Sequence, residues 1–215
     1  MGFEIKDGVL VRYNEEAGVT KVVIPDGVVH IGNSAFSDCE SLTNVTIPNG
    51  VTSIGNWAFG YCSSLTNIVL PNGVTSVGHS AFRECCSMVS IELPASVTSI
   101  GDEAFMECKN LTDITIPRGV TNIEDRTFLE CSNLVSIIIP DSVTSIGGWA
   151  FMNCSKLTNV TIPEGVKTLG NDAFGGCRSL TSVSIPKGVE CIRFATFSEC
   201  RKLKDVTIPD SVSSM

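Results

Sequence analysis

No run of 18 apolar residues occurs in this sequence, so no segment is long enough to cross a bilayer as a helix. Histidine is almost absent. Only His30 and His79 occur, and no two cysteines have C-x₂-C spacing, so no zinc site is expected. Neither histidine has a repeated acidic neighbour, and no nucleophile motif or phosphate-binding glycine loop appears. The sequence therefore predicts no enzymatic activity, no catalytic residues, no cofactor and no metal. Positive charge is scarce as well: 15 Lys and Arg stand against 23 Asp and Glu, a net charge of −8. Residues 1–110 carry 5 basic and 12 acidic groups (net −7), and residues 111–215 carry 10 and 11 (net −1). An acidic chain with no basic stripe argues against nucleic acid and anionic membranes as partners. The N-terminus, MGFEIKDGVL, has charges where a signal peptide has its apolar region. That leaves two alternatives, a cytoplasmic protein or one whose signal has been removed.

Proline is absent everywhere except in one series: Pro25, Pro48, Pro71, Pro94, Pro117, Pro140, Pro163, Pro186 and Pro209, each 23 residues from the next. A fixed period in this range marks a solenoid in which each repeat is one coil. Complete copies start at Val19, Leu42, Leu65, Met88, Leu111, Leu134, Leu157 and Leu180, and a ninth begins at Leu203 and reaches Met215. The fold predicted is a β-rich solenoid of about 8.5 coils over residues 19–215, preceded by a short N-terminal segment, 1–18.

A residue repeated at each coil stacks on itself, so the invariant apolar columns must form the core. They are the columns of Leu42, Val45, Ile47, Val51, Ile54, Ala58, Phe59 and Cys62. The phenylalanine column is Phe36, Phe59, Phe82, Phe105, Phe128, Phe151, Phe174 and Phe197. The cysteine column is Cys39, Cys62, Cys85, Cys108, Cys131, Cys154, Cys177 and Cys200. V-x-I-P alternates with period two and reads as a short strand with one face buried, ended by its proline. Asn49-Gly50 turns the chain, T-S-I-G reads as a second short strand, and A-F-x-x-C as a helical or 3₁₀ turn. Eight-fold stacking in register suits small buried thiols better than disulfides.

These motifs, L-x-x-V-x-I-P-x-x-V-x-x-I-G-x-x-A-F-x-x-C at Leu42 to Cys62, resemble the BspA-type leucine-rich repeats of bacteria and protozoa. The resemblance covers Val19 to Met215, and Phe3 to Gly18 looks like the short β cap that precedes such repeats. It implies a right-handed, curved leucine-rich-repeat solenoid with parallel sheets. It further implies a surface-associated or secreted, non-enzymatic protein that binds host proteins or other cells. Two copies depart from the pattern: Glu124 and Arg193 replace glycine, and Thr127 and Thr196 replace alanine. A strict positive-φ requirement at that glycine is therefore not expected.

The variable columns offer two surfaces. One is the outward face of the V-x-I strand, with Lys21, Asn44, Asn67 and their equivalents beside Val23, Thr46, Val69 and theirs. Such residues also simply suit a solvated strand. The other is a ledge around A-F-x-x-C that gathers Trp57, Tyr61, Trp149 and Phe194 with Met106, Leu129 and Met152. Exposed aromatics anchor interfaces, or lie flat and fill grooves. On the same ledge Glu84, Glu107 and Glu130 stack in one column. Their long side chains can simply fan into water, Arg83, Lys109 and Arg126 stand near enough to neutralise them, and otherwise a basic partner or a bound cation would relieve the repulsion. The leading expectation is a protein–protein interaction module of adhesin type, its partner unknown. The alternative is a structural spacer or scaffold solenoid, in the cytoplasm or within a longer chain. In the ninth coil Leu203, Val206, Ile208 and Val212 leave an apolar edge at Met215, which is expected either to be covered by further coils of a longer array or to pack against another chain in end-to-end self-association.

Overall fold

The computed structural model describes residues 2–214. They form a solenoid of 23-residue coils preceded by a hairpin. Strand β1 (Phe3–Lys6) pairs antiparallel with β2 (Val9–Tyr13), and β2 pairs in parallel with His30–Ile31 of the first coil. The hairpin works as a partial coil. Tyr13 stands 23 residues before Phe36, and its N–H donates to Ala35 O (2.7 Å), as Phe36 N–H donates to Ala58 O (2.8 Å). Its ring extends the phenylalanine stack, 5.3 Å from Phe36. From Phe36 to Phe197 the rings stack face on face, with centroids 5.0–5.6 Å apart and interplanar angles of 2–10°. Those from Phe36 to Phe174 are fully buried, while Phe197 is only partly covered.

Both strand expectations hold. Asn44–Thr46 pairs in parallel with Lys21–Val23 and Asn67–Val69, and Ser53–Ile54 pairs with His30–Ile31 and Ser76–Val77. Val45 and Ile47 point into the core and Thr46 points out. The strands do not run unbroken along the stack. The V-x-I strands fall into separate sheets, and the second sheet ends at Ser99–Ile100 before resuming at Asn122–Ile123.

The A-F-x-x-C segment is where the structure departs from expectation. No residue in it is helical among those described; it is a succession of turns. Alternate N–H groups leave the coil. Trp57, Phe59 and Tyr61 donate to His79, Ala81 and Arg83 O (each 2.8 Å), while Ala58, Gly60 and Cys62 donate to Gly55, Trp57 and Phe59 O (3.3, 3.0 and 3.3 Å). The same three cross-coil bonds recur at every interface from Ser34 to Ser198. This segment, not either strand, supplies the continuous ladder.

Two columns within it are left-handed. Ser34, Trp57, Ser80, Glu103, Arg126, Trp149, Asp172 and Ala195 have φ of 49–58°. Asp38, Tyr61, Glu84, Glu107, Glu130, Asn153, Gly176 and Glu199 have φ of 54–71°. The repeated glycine of I-G is not left-handed, as the exceptions Glu124 and Arg193 implied. It is needed for close approach instead. A Cβ on Gly78 would lie 2.6 Å from Asn56 Oδ1 and 2.7 Å from Asn56 N and Gly55 C. The closeness lets Gly55, Gly78 and Gly101 N–H donate to Ile31, Ile54 and Val77 O (2.8–2.9 Å). Among the described residues Glu124 and Arg193 make no such bond, and the second sheet is interrupted in front of Glu124. The paired departures at 127 and 196 follow from this. Thr127 Oγ1 donates to Glu124 O (2.8 Å) and Thr196 Oγ1 to Arg193 O (2.7 Å), satisfying carbonyls in the altered turn.

The cysteine column has its own role. Each thiol from Cys62 to Cys200 donates to the carbonyl of the phenylalanine one coil back, as Cys62 Sγ does to Phe36 O (3.1 Å) and Cys85 Sγ to Phe59 O (3.2 Å). Cysteine is small and apolar yet carries a weak donor, a combination alanine and valine lack. Burial pushes Cys39 up to about 12 and Cys200 to about 11, and raises Cys62, Cys85, Cys108, Cys131, Cys154 and Cys177 further. A raised folded pKa gives stability that is complete below the unfolded thiol's value and is lost as pH rises toward the folded one. The thiols' contribution to stability should thus be constant up to about pH 8.5 and then fall by about 1.4 kcal/mol per pH unit for each fully buried thiol. Urea midpoints measured across this range check it; a flat profile up to about pH 11 would contradict the buried thiol column.

Candidate functional site

The ledge is built from the two left-handed columns and the residues beside them. In these columns Trp57, Tyr61, Glu84, Glu107, Glu130 and Trp149 line one outer strip, each half-buried. Met106 and Met152, from the column between, are half-buried beside them. Phe194 stands apart. It occupies the column of Asn33, Asn56 and His79 and is 82% exposed.

The aromatic residues are not isolated. Trp57 stacks on Tyr61 (centroids 5.7 Å, 20°), and His79 meets the Trp57 ring edge-on (5.7 Å, 72°). The Arg83 guanidinium lies 5.4 Å from the Trp57 centroid and 6.0 Å from that of Tyr61. Arg126 lies 4.8 Å from Trp149. Glu103 joins the two groups, reaching Arg83 Nη1 at 2.8 Å and Arg126 Nη1 at 3.5 Å. Tyr61, Trp57, Arg83, Glu103, Arg126 and Trp149 thus make one strip along the stack, in which aromatic faces and an ion-pair network hold each other in place.

The same network answers the stacked glutamates. Glu84 pairs with Arg83 (3.6 Å) and Glu107 with Lys109 (3.3 Å), so local cations do reach them. Glu130 has no ion-pair partner among the described residues. The strand face is fully solvated, and its exposed apolar residues, Val23 (70%), Val69 (68%) and Ile138 (64%), are scattered over coils 1, 3 and 6.

Among the described residues no group of three or more His, Cys, Asp or Glu is arranged to hold a metal ion, and no helix is long and apolar enough to cross a membrane. The family model described as BspA type leucine-rich repeat region matches residues 12–135 and 121–215 with six copies. The chain belongs to the BspA-type leucine-rich repeat family. Its structure is similar to that of the leucine-rich repeat protein TpLRR of T. pallidum, with TM-score 0.76 and 34% identity over 80% of this chain and 82% of that one. A leucine-rich repeat protein from Bacteroides ovatus matches with TM-score 0.53 and 26% identity, over 95% and 78% of the two chains. The pneumococcal vaccine antigen PcpA, at TM-score 0.59 and 19% identity over 91% and 62%, shares the fold alone. No curated protein matches the chain. Leucine-rich repeat solenoids are in general scaffolds for protein interaction.

Fifteen of the sixteen left-handed positions carry a side chain, although glycine would sit there with less strain. Glu130 makes the cost measurable, since its φ is 61° and it has no ion pair to lose. Glu130→Gly should stabilise the fold by roughly 0.5–1 kcal/mol, the left-handed penalty less the entropy glycine adds to the unfolded chain. Leu129→Gly, one residue earlier and not left-handed, should destabilise it. Urea unfolding of the pair checks this, and destabilisation by Glu130→Gly would contradict the strain.

Proposed function

We propose that this chain is a non-enzymatic protein-binding module that contacts its partner through the ledge, with Trp57, Tyr61 and Trp149 as anchors and Met106, Met152, Glu84, Glu107 and Glu130 around them. One observation carries the reading. The backbone of these columns favours glycine, yet in several coils they hold large aromatic and charged side chains, Trp57, Tyr61 and Trp149 among them, where small residues such as Ser34 and Ala195 serve in others. Support comes from the geometry: Trp57 and Trp149 are half-buried and oriented by Arg83 and Arg126, and a pre-ordered aromatic loses little entropy on binding. An adhesin-type role at a cell surface is the finer form of this reading and rests on the family alone.

The ledge is tested with a partner captured by the purified wild-type protein and identified by mass spectrometry. A Trp57→Ala/Trp149→Ala double variant with unchanged circular dichroism should bind it at least roughly tenfold more weakly, the cost of losing anchor residues. Full retention of binding by the folded variant would remove the ledge from consideration.

The spacer reading has one observation of its own. On the last coil Val206 and Ile208 are 40% and 45% exposed, and Leu203 and Val212 are only partly covered. Met215, where the sequence places this edge, lies outside the described residues. Packing of this apolar edge against another chain would give end-to-end pairing. Sedimentation should then show mass rising with concentration, and Val206→Lys/Ile208→Lys should abolish the rise; a monomer at all concentrations would rule out end-to-end pairing.

A further inference from the structure

The departures from the repeat converge on one place. Glu124 and Arg193 are the side chains in a column of close-approach glycines, three coils apart. Gly148 interrupts the neighbouring column, which otherwise runs Asn33, Asn56, His79, Asp102, Asp125 and Asn171 before Phe194. In that column a side chain caps the next coil: Asn33 Oδ1 accepts from Asn56 N–H and Asn56 Oδ1 from His79 N–H, both at 2.9 Å. Asp125 Oδ1 likewise accepts from Gly148 N–H (2.7 Å), but Gly148 has nothing to offer Asn171. Neither backbone nor packing requires glycine there. Its φ is not left-handed, and an added Cβ would meet nothing closer than Asn171 O at 3.5 Å. Beside it lies a groove of about 370 Å³, lined among others by Glu124, Asp125, Gly148, Trp149 and Arg193.

No ion pair closes over the charges around the groove, where Asp125 and Arg193 are exposed. The ledge's ion pairs use Arg83, Glu84, Glu103, Glu107, Lys109 and Arg126, and among the described residues none involves Glu124, Asp125 or Arg193. Partial burial, with Asp102 and Asp125 adding repulsion, holds the Glu124 carboxyl above its usual range. The acidic end therefore lacks a cation and the basic end lacks an anion. Three coils at the inter-strand spacing separate Glu124 from Arg193 by about 14 Å, too far for them to meet and close to the span of four or five extended residues.

We propose that this groove binds an extended peptide segment of a protein partner. Its basic side chain sits at Glu124 and Asp125, its carboxylate at Arg193, and the chain between packs along Trp149. The proposal rests on the reading of the chain as a binding module. A free amino acid is too short to reach both ends, and a polyamine has no group for Arg193.

The probes are blocked synthetic pentapeptides, Lys-Ser-Ser-Ser-Glu and its reverse, with Lys-Ser-Ser-Ser-Lys, Glu-Ser-Ser-Ser-Glu and penta-serine as controls. Binding is read from amide shifts of Gly147, Gly148 and Asn171 and from the Trp149 indole, with the Trp57 indole as internal reference. A mixed-charge peptide should saturate these shifts in the millimolar range, roughly fivefold more tightly than either like-charged control, and weaken with added salt. Glu124→Gly, Arg193→Gly and Gly148→Asn each restore the residue of the other coils, so each should fold at least as stably as the parent. Each should weaken the mixed-charge peptide by roughly fivefold. No saturable shift, equal binding of all peptides, or undiminished binding to Gly148→Asn overturns the groove. Gly148→Asn keeps Trp57, Tyr61 and Trp149, so its binding to the captured partner shows separately whether the ledge reading stands.

Discussion

Three backbone hydrogen bonds per coil, drawn from the A-F-x-x-C segment, are the constraint on which this structure depends. They run without a break through the seven interfaces from Ser34 to Ser198, whereas both strand ladders are interrupted. Their cost is conformational. In a right-handed run every N–H would point along one axis and bond within the coil. Two left-handed residues per coil break that progression, so alternate N–H groups can reach the next coil. The phenylalanine stack, the thiol donors and the close-approach glycine all hold the coils at the separation these bonds require.

The same constraint gives the surface its character. The side chains in those columns lie off the apolar core and pack against their neighbours along the stack. Ser80 is buried there and bonded to Glu103 and His79, while Trp57 and Trp149 lie under arginines from adjacent coils. The ledge is therefore an ordered surface without any deep cavity, suited to a partner that lies across it.

Much of this was legible in the sequence. The period set the coil length, the columns set the core, and V-x-I-P alternation set which strand residues face inward. The left-handed columns were not legible, because the usual signal for positive φ is glycine and here Trp57, Tyr61, Glu84 and Arg126 stand in its place. The exceptions Glu124 and Arg193 do show in the sequence that the repeated glycine is not a left-handed one, but its real reason, crowding by the coil before it, shows only in the structure. The charge network was only half legible: Arg83 and Arg126 are visible as counter-ions, but their stacking on Trp57 and Trp149 needs the cross-coil register. The groove was missed because the absence of a side chain at Gly148 has meaning only once its column is known to cap the next coil.

The strictness of the period has an evolutionary consequence. Each interface reuses the same bonds, ring contact and thiol donor, so a whole coil can be gained or lost by unequal recombination between copies of the repeat without disturbing the packing of the others. Trp57 and Trp149 are four coils apart, and each insertion or deletion between them would change their distance by one inter-strand step of about 4.8 Å. The solenoid is in this sense a ruler with fixed graduations. A lineage can retune the spacing of its contact residues by copy number while the core chemistry stays as it is.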